Sequence, residues 1–163
     1  MTDQNDELRK ELIFQLKGGN AHAKFDDVVK NFPEMLRGTA PEGMPYSAWQ
    51  LLEHIRIAQD DIVRFCRNSD GSYKEMKWPD NYWPKGPAPT SASAWTESIK
   101  SYHKDLDEFV KLISDPKTEL FEPFAWGNGQ TLFHEAMLLV DHAAYHLGEI
   151  VAARRILKCW PAK

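Results

Sequence analysis

The sequence has little of what marks a secreted or membrane-embedded protein. Its only two cysteines, Cys66 and Cys159, stand at unrelated places, which excludes a disulfide framework and a CxxC motif. No apolar run reaches the ~20 residues that a membrane-spanning helix needs. The opening residues, 1–7, lack the basic and apolar regions of a signal peptide. We therefore expect a cytoplasmic protein with free thiols, in which Cys66 is a small core residue.

Positive charge is also scarce. Twenty Lys and Arg residues face 24 Asp and Glu, so the formal net charge is −4, and no basic block offsets it. This balance argues against a nucleic-acid partner or an anionic membrane surface. With 42% hydrophobic and 27% charged residues, the composition is that of an ordinary globular protein. We expect residues 1–163 to form a single domain with one core.

Apolar residues recur at helical spacing along most of the chain, and no segment indicates a convincing strand. Five segments carry this spacing: 3–17, 21–32, 47–67, 93–113 and 131–158. Gly18-Gly19-Asn20 interrupts the first two, and whether they form one kinked helix or two stays open. Four or five helices without strands favour an all-α bundle.

Short polar residues mark where these helices begin. Ser47-Ala-Trp-Gln50 matches a capping box, in which the serine and glutamine side chains satisfy each other's backbone amides. The other predicted caps are Thr2 or Asp3, a serine or threonine within 90–93, and Gln130 or Thr131.

A long irregular link, residues 68–89, joins the third and fourth segments. It is rich in aromatic residues: Tyr73, Trp78, Tyr82 and Trp83. Such loops are uncommon in compact domains unless they cover or cross something. Fully extended, the link spans roughly 70 Å, enough to return along a helix of about 30 Å. Its aromatic residues either wall a pocket or pack the loop onto the bundle, and the second interpretation is favoured.

Three histidines form the candidate site. His142 and His146 are four residues apart, so they project from one face of the last helix. His54 borders the apolar line of the 47–67 helix and is the best candidate for a third ligand. Three neutral imidazoles can hold a divalent transition metal and leave positions open for catalysis. The alternative is that all three are hydrogen-bonded packing residues.

The neighbouring polar residues are weaker candidates. Glu149 lies one turn after His146 and suits either an outer hydrogen-bond acceptor or a fourth ligand. His134 is two turns from His142 and about 80° around the helix. His103 is expected to be exposed, and His22 to be structural.

Several stretches together resemble one protein family over nearly the whole chain. They are residues 18–23 with Phe32-Pro33, residues 47–62, the 78–84 loop, residues 129–132 and residues 141–150. Over these stretches the chain resembles the DinB/YfiT-like superfamily, specifically its DinB-like subgroup. The resemblance implies a four-helix bundle with a crossover connection, consistent with the 68–89 link. It also implies a divalent metal, usually nickel or zinc, at His54, His142 and His146.

The resemblance suggests a class of activity as well. Characterised members of the family include thiol S-transferases that use bacillithiol or mycothiol, and an isomerase that uses a low-molecular-weight thiol. The expectation is therefore a metal-dependent thiol S-transferase with a small-molecule substrate. Two alternatives stay open: a metal-dependent hydrolase, and a non-enzymatic bundle that binds a small ligand or a protein partner. A homodimer is expected in either case.

Overall fold

The computed structural model describes residues 4–161, and its regular elements are helical. The α-helices are α1 (Gln4–Lys17), α2 (Phe25–Val29), α3 (Ala48–Cys66), α4 (Ala94–Ser114) and α5 (Leu132–Ile156), with a 3₁₀ turn at Glu34–Leu36. Within residues 4–161 the extended pairing is limited to an isolated bridge between Pro123 and Thr131. The predicted all-α class is confirmed. None of the helices in this range has the length and hydropathy to cross a membrane.

Two glycines decide how many helices the first 32 residues form. Gly18 and Gly19 have φ angles of +67° and +84°, in the left-handed region that glycine adopts without steric cost. Helix α1 therefore ends at Lys17, and α2 is a separate short helix. Residues 2 and 3, the predicted cap of α1, lie outside the described residues.

The capping box of α3 is confirmed. The Ser47 hydroxyl accepts a hydrogen bond from the Gln50 amide at 3.2 Å. The Ser47 amide donates to the Gln50 side-chain oxygen at 3.1 Å. These two bonds satisfy amides that a helix start would otherwise leave unpaired, so the position of α3, which carries His54, is determined locally.

The caps of the later helices come from their own preceding turns. The Thr131 hydroxyl accepts from the His134 amide at 3.1 Å at the start of α5. At α4 the capping hydroxyl belongs to Ser91, which accepts from the Ala94 amide at 3.1 Å. The side chain of Ser93 makes no capping bond.

The four long helices pack as a bundle in which α3 is central to the site. Helix α3 packs against both α4 and α5, and α1 packs against the same two helices. One apolar cluster joins α2, α3, α4 and α5 around Phe32, Leu52 and Ile150. A second joins α1, α3, α4 and α5 around Leu12 and Phe109. The α3–α5 pairing places His54 against the last helix.

Two buried arginines, which the sequence pattern does not reveal, bind carbonyls at the ends of α2 and α4 and in the segments that follow them. Arg154 is 1% exposed and donates to the carbonyls of Val28 and Lys30 at 2.7 and 2.9 Å. Arg9 donates to the carbonyls of Ile113 and Thr118 at 2.7 and 2.6 Å. The guanidinium group presents several fixed donors, so one side chain satisfies several carbonyls that end a helix or turn.

Candidate metal centre

The His54 imidazole is held in place by the 68–89 loop. Its Nδ1 lies 2.8 Å from the carbonyl oxygen of Tyr82. The indole of Trp83 stacks on the imidazole face, with ring centroids 3.9 Å apart and an interplanar angle of 3°. A carbonyl only accepts hydrogen bonds, so Nδ1 carries the hydrogen and the Nε2 of a neutral ring is bare. The residue is 2% exposed.

His146 is held in the same tautomer by a carboxylate. Its Nδ1 is 2.6 Å from Glu149 Oε2, one turn further along α5. The carboxylate accepts the Nδ1 hydrogen, which leaves Nε2 free to bind a metal. Of the two roles considered for Glu149, acceptor or fourth ligand, this contact is that of an acceptor. Acceptors of this kind orient a ligating imidazole and raise its basicity.

The three imidazoles converge on one point between α3 and α5. His142 Nε2 lies 3.0 Å from the bare Nε2 of His54, so in the metal-free protein His142 Nε2 carries the hydrogen and donates it to His54. One ring nitrogen from each of His54, His142 and His146 lies within 4.8 Å of the other two. Two nitrogens that are each ~2.0–2.1 Å from a shared ion are about 3–4 Å apart. Small side-chain movements therefore suffice for the trio to hold one ion, and the residues fit a divalent transition metal.

Burial keeps the cluster uncharged near neutral pH. Burial, with the neighbouring imidazoles His146 and His54, lowers the pKa of His142 to about 4. Burial and His54 lower the pKa of His146 to about 4. The pKa of His54 is also lowered, chiefly by burial. Only a neutral imidazole has a lone pair for a metal, so burial favours the protonation state that metal binding requires at pH 7.

The remaining histidines lie apart from this cluster. His103 Nε2 pairs with an Asp26 carboxylate oxygen at 2.7 Å and its side chain is 42% exposed. His22 is exposed, and its Nδ1 lies 2.9 Å from the carbonyl oxygen of Ala23. His134 is exposed at the start of α5. None belongs to the three-histidine group.

The aromatic link does more than pack onto the bundle. Trp83 stacks on His54 and also on Tyr46, with the second pair of centroids 4.0 Å apart. Tyr73, Trp78 and Tyr82 line a cavity that reaches His142. The favoured interpretation, in which the loop only packs onto the bundle, is therefore incomplete, because the same loop is a wall of the site.

This cavity, of about 390 Å³, runs from His142 along the groove between α3 and α5. Asp61 is 6% exposed at its side. The Asp61 carboxylate accepts hydrogen bonds from the Tyr82 and Tyr73 hydroxyls at 2.6 and 3.3 Å. Arg64 lies 3.4 Å away from it. Burial raises the pKa of Tyr73 to about 12. Both hydroxyls are therefore protonated donors.

Two buried carboxylates of the cavity, Asp61 and Glu135, are absent from the sequence-based candidates. A signal was present in their spacing. Asp61 is seven residues after His54, and Glu135 is seven before His142, so each shares a helix face with a histidine. Polar residues at such spacing are usually solvated, and nothing in the sequence indicates that Tyr73 and Tyr82 of the link bind Asp61.

No family model, curated protein sequence or solved structure matches the chain in comparisons with known proteins. The described geometry is therefore the main support for a function. The family resemblance rests on the sequence motifs alone and stays a prediction.

Proposed function

We propose that the chain is a DinB-like metalloenzyme whose His54, His142 and His146 hold one nickel or zinc ion. One observation carries the proposal: the Nδ1 atoms of His54 and His146 are engaged by fixed acceptors, and one ring nitrogen of each of the three histidines lies within 4.8 Å of the other two. Packing alone does not require three buried imidazoles to meet in this way. The open cavity at His142 is where a substrate reaches the ion.

The arrangement of helices supports the proposed family topology. Four long helices, α1, α3, α4 and α5, form the bundle, and the 68–89 link lies between α3 and α4. That link contributes the Tyr82 carbonyl and the Trp83 ring to His54. A crossover connection that helps to position a metal ligand agrees with the proposed DinB-like fold.

For the reaction, we favour thiol S-transfer with a low-molecular-weight thiol. A divalent ion supplies Lewis acidity, which lowers the pKa of a bound thiol or water. The thiol has to come from outside the chain. Cys66 is 5% exposed, and burial raises the pKa of its thiol. Neither Cys66 nor Cys159 lines the cavity.

A hydrolase is the second candidate, because carboxylates adjoin the site. Glu149 contacts His146, and the cavity holds Asp61 and Glu135. A carboxylate can take a proton from water as it attacks an ester or amide. Asp61 is already engaged by two tyrosines, and Glu135 lies two turns of α5 from His142, which leaves Glu149, beside His146, as the candidate base.

Conjugation of a chlorodinitrobenzene electrophile with a panel of low-molecular-weight thiols tests the preferred reaction. We expect turnover that requires nickel or zinc and is lost in His54→Ala and His142→Ala, with His103→Ala as the matched control. Metal-dependent ester or amide hydrolysis without thiol turnover would identify the hydrolase. If neither reaction occurs and the substitutions act equally with and without metal, the chain is a non-enzymatic bundle.

A further inference from the structure

Glu135 is a buried carboxylate without a partner. It lies in the first turn of α5, is 5% exposed, and lines the cavity. Among residues 4–161, no hydrogen bond or ion pair satisfies its side-chain oxygens. Asp61, in the same cavity, accepts from two tyrosine hydroxyls. The Glu135 oxygens are not among the fully enclosed unpaired atoms of the described residues, so they keep access to the cavity and can accept a hydrogen bond from a ligand there.

The rest of the cavity wall shows what kind of group would satisfy Glu135. Its acidic residues are Asp61, Glu75 and Glu135, and its aromatic residues are Phe65, Tyr73, Trp78, Tyr82 and Trp126. No lysine or arginine of the described chain lines it. Carboxylates accept from N–H donors, and aromatic faces attract cations. The wall therefore suits a cation and disfavours an anion.

The register of α3 and α5 gives the distance between this position and the histidines. His54 meets His142, and Asp61, seven residues later, lines the same cavity as Glu135, seven residues before His142. The two helices are therefore antiparallel here. Seven residues of helix correspond to about 10 Å. A ligand that contacts both Glu135 and the histidine cluster therefore needs two polar groups about 10 Å apart.

We infer that the cavity is a subsite for a cationic, N–H-bearing group of the substrate, a guanidinium or an ammonium, held by the Glu135 carboxylate between aromatic side chains. The subsite deepens the proposed function, because the other end of such a substrate reaches the histidine cluster. Cation binding itself requires no metal. The subsite can therefore be tested apart from the metal centre.

Calorimetric titration of the metal-free protein with benzylguanidinium and with benzylurea, its neutral isostere, tests the subsite. The guanidinium stays charged and so does not compete as a metal ligand. A charge-assisted hydrogen bond to Glu135 should make benzylguanidinium bind at least about tenfold more tightly than benzylurea. Glu135→Gln should abolish that preference. Glu75→Gln, an exposed acid of the same wall, should keep most of it.

Equal binding of the two probes, or an unchanged preference in Glu135→Gln, would overturn the inference. The comparison of the two probes on the wild type tests the inference even if Glu135→Gln folds poorly. Nickel or zinc uptake, titrated separately, distinguishes the two proposals. If the wild type takes up metal but binds the two probes equally, only the subsite proposal fails. If the wild type prefers benzylguanidinium but takes up no metal, only the metalloenzyme proposal fails.

Discussion

At the scale of single residues, the hydrogen on Nδ1 of His54 and of His146 determines whether the Nε2 of each ring can bind a metal. The Tyr82 carbonyl and the Glu149 carboxylate hold His54 and His146 with Nε2 bare. Helical spacing could predict that His142 and His146 share a face. It could not predict these acceptors, because the Tyr82 carbonyl comes from a loop without periodicity.

Replacement of Glu149 tests the role of the acceptor. Glu149→Gln keeps a neutral acceptor but removes the negative charge beside His146, so metal affinity should fall by about 10- to 100-fold. Competition with a chelator measures the change. The control is Glu53→Gln, since Glu53 pairs with Arg56 at 2.8 Å and belongs to no ligand group. Equal affinities for Glu149→Gln and wild type would contradict the role.

The buried imidazoles also make stability depend on pH. In the folded, metal-free protein the pKa values of His142 and His146 are lowered to about 4, whereas in the unfolded chain they are about 6.5. Between those values the unfolded state binds more protons, so stability falls as the pH drops from 6.5 to 4. The midpoint of urea unfolding should follow this course.

The variant His142→Ala should flatten that dependence. A midpoint in the wild type that stays constant from pH 6.5 to 4 would contradict the burial of neutral imidazoles. Metal binding should likewise persist well below pH 6.5, because protons compete for His142 and His146 only near pH 4.

At the scale of elements, the 68–89 link contributes both to the stability of the fold and to the positioning of His54. Helix periodicity predicted the long helices, and their ends lie within a residue or two of the expected positions because caps and glycines are local signals. The role of the link depends on long-range contacts, such as Trp83 on His54 and Tyr82 on Asp61. Asp61 and Glu135 were missed for the same reason.

Truncation of Trp83 tests this coupling. Trp83→Ala removes the ring that stacks on both His54 and Tyr46. It should cost about 2 kcal/mol of unfolding free energy, less than for a fully buried tryptophan, because Trp83 is half-buried. Urea unfolding measures the loss, and chelator competition should show weaker metal binding. Trp126→Ala, which removes a cavity ring without a histidine contact, should leave metal affinity near that of wild type.

At the scale of the whole molecule, the bundle brings together two histidines that are 88 residues apart in sequence, His54 and His142. The all-α class followed from the helical spacing of apolar residues. The burial of the histidine site could not be predicted in this way, because it depends on how α3, α5 and the link pack together. The expected homodimer stays a prediction, and sedimentation at micromolar concentration tests it.

The most direct test of the central claim is the melting temperature of chelator-stripped protein before and after addition of nickel or zinc. A ligand at a hundredfold excess over its Kd stabilises the folded state by about 2.7 kcal/mol, a shift of several degrees. The shift should occur in wild type, His134→Ala and His103→Ala, and should largely disappear in His54→Ala, His142→Ala and His146→Ala. An unchanged wild-type melting temperature with either metal, or a shift that all three ligand variants retain, would contradict the metal site.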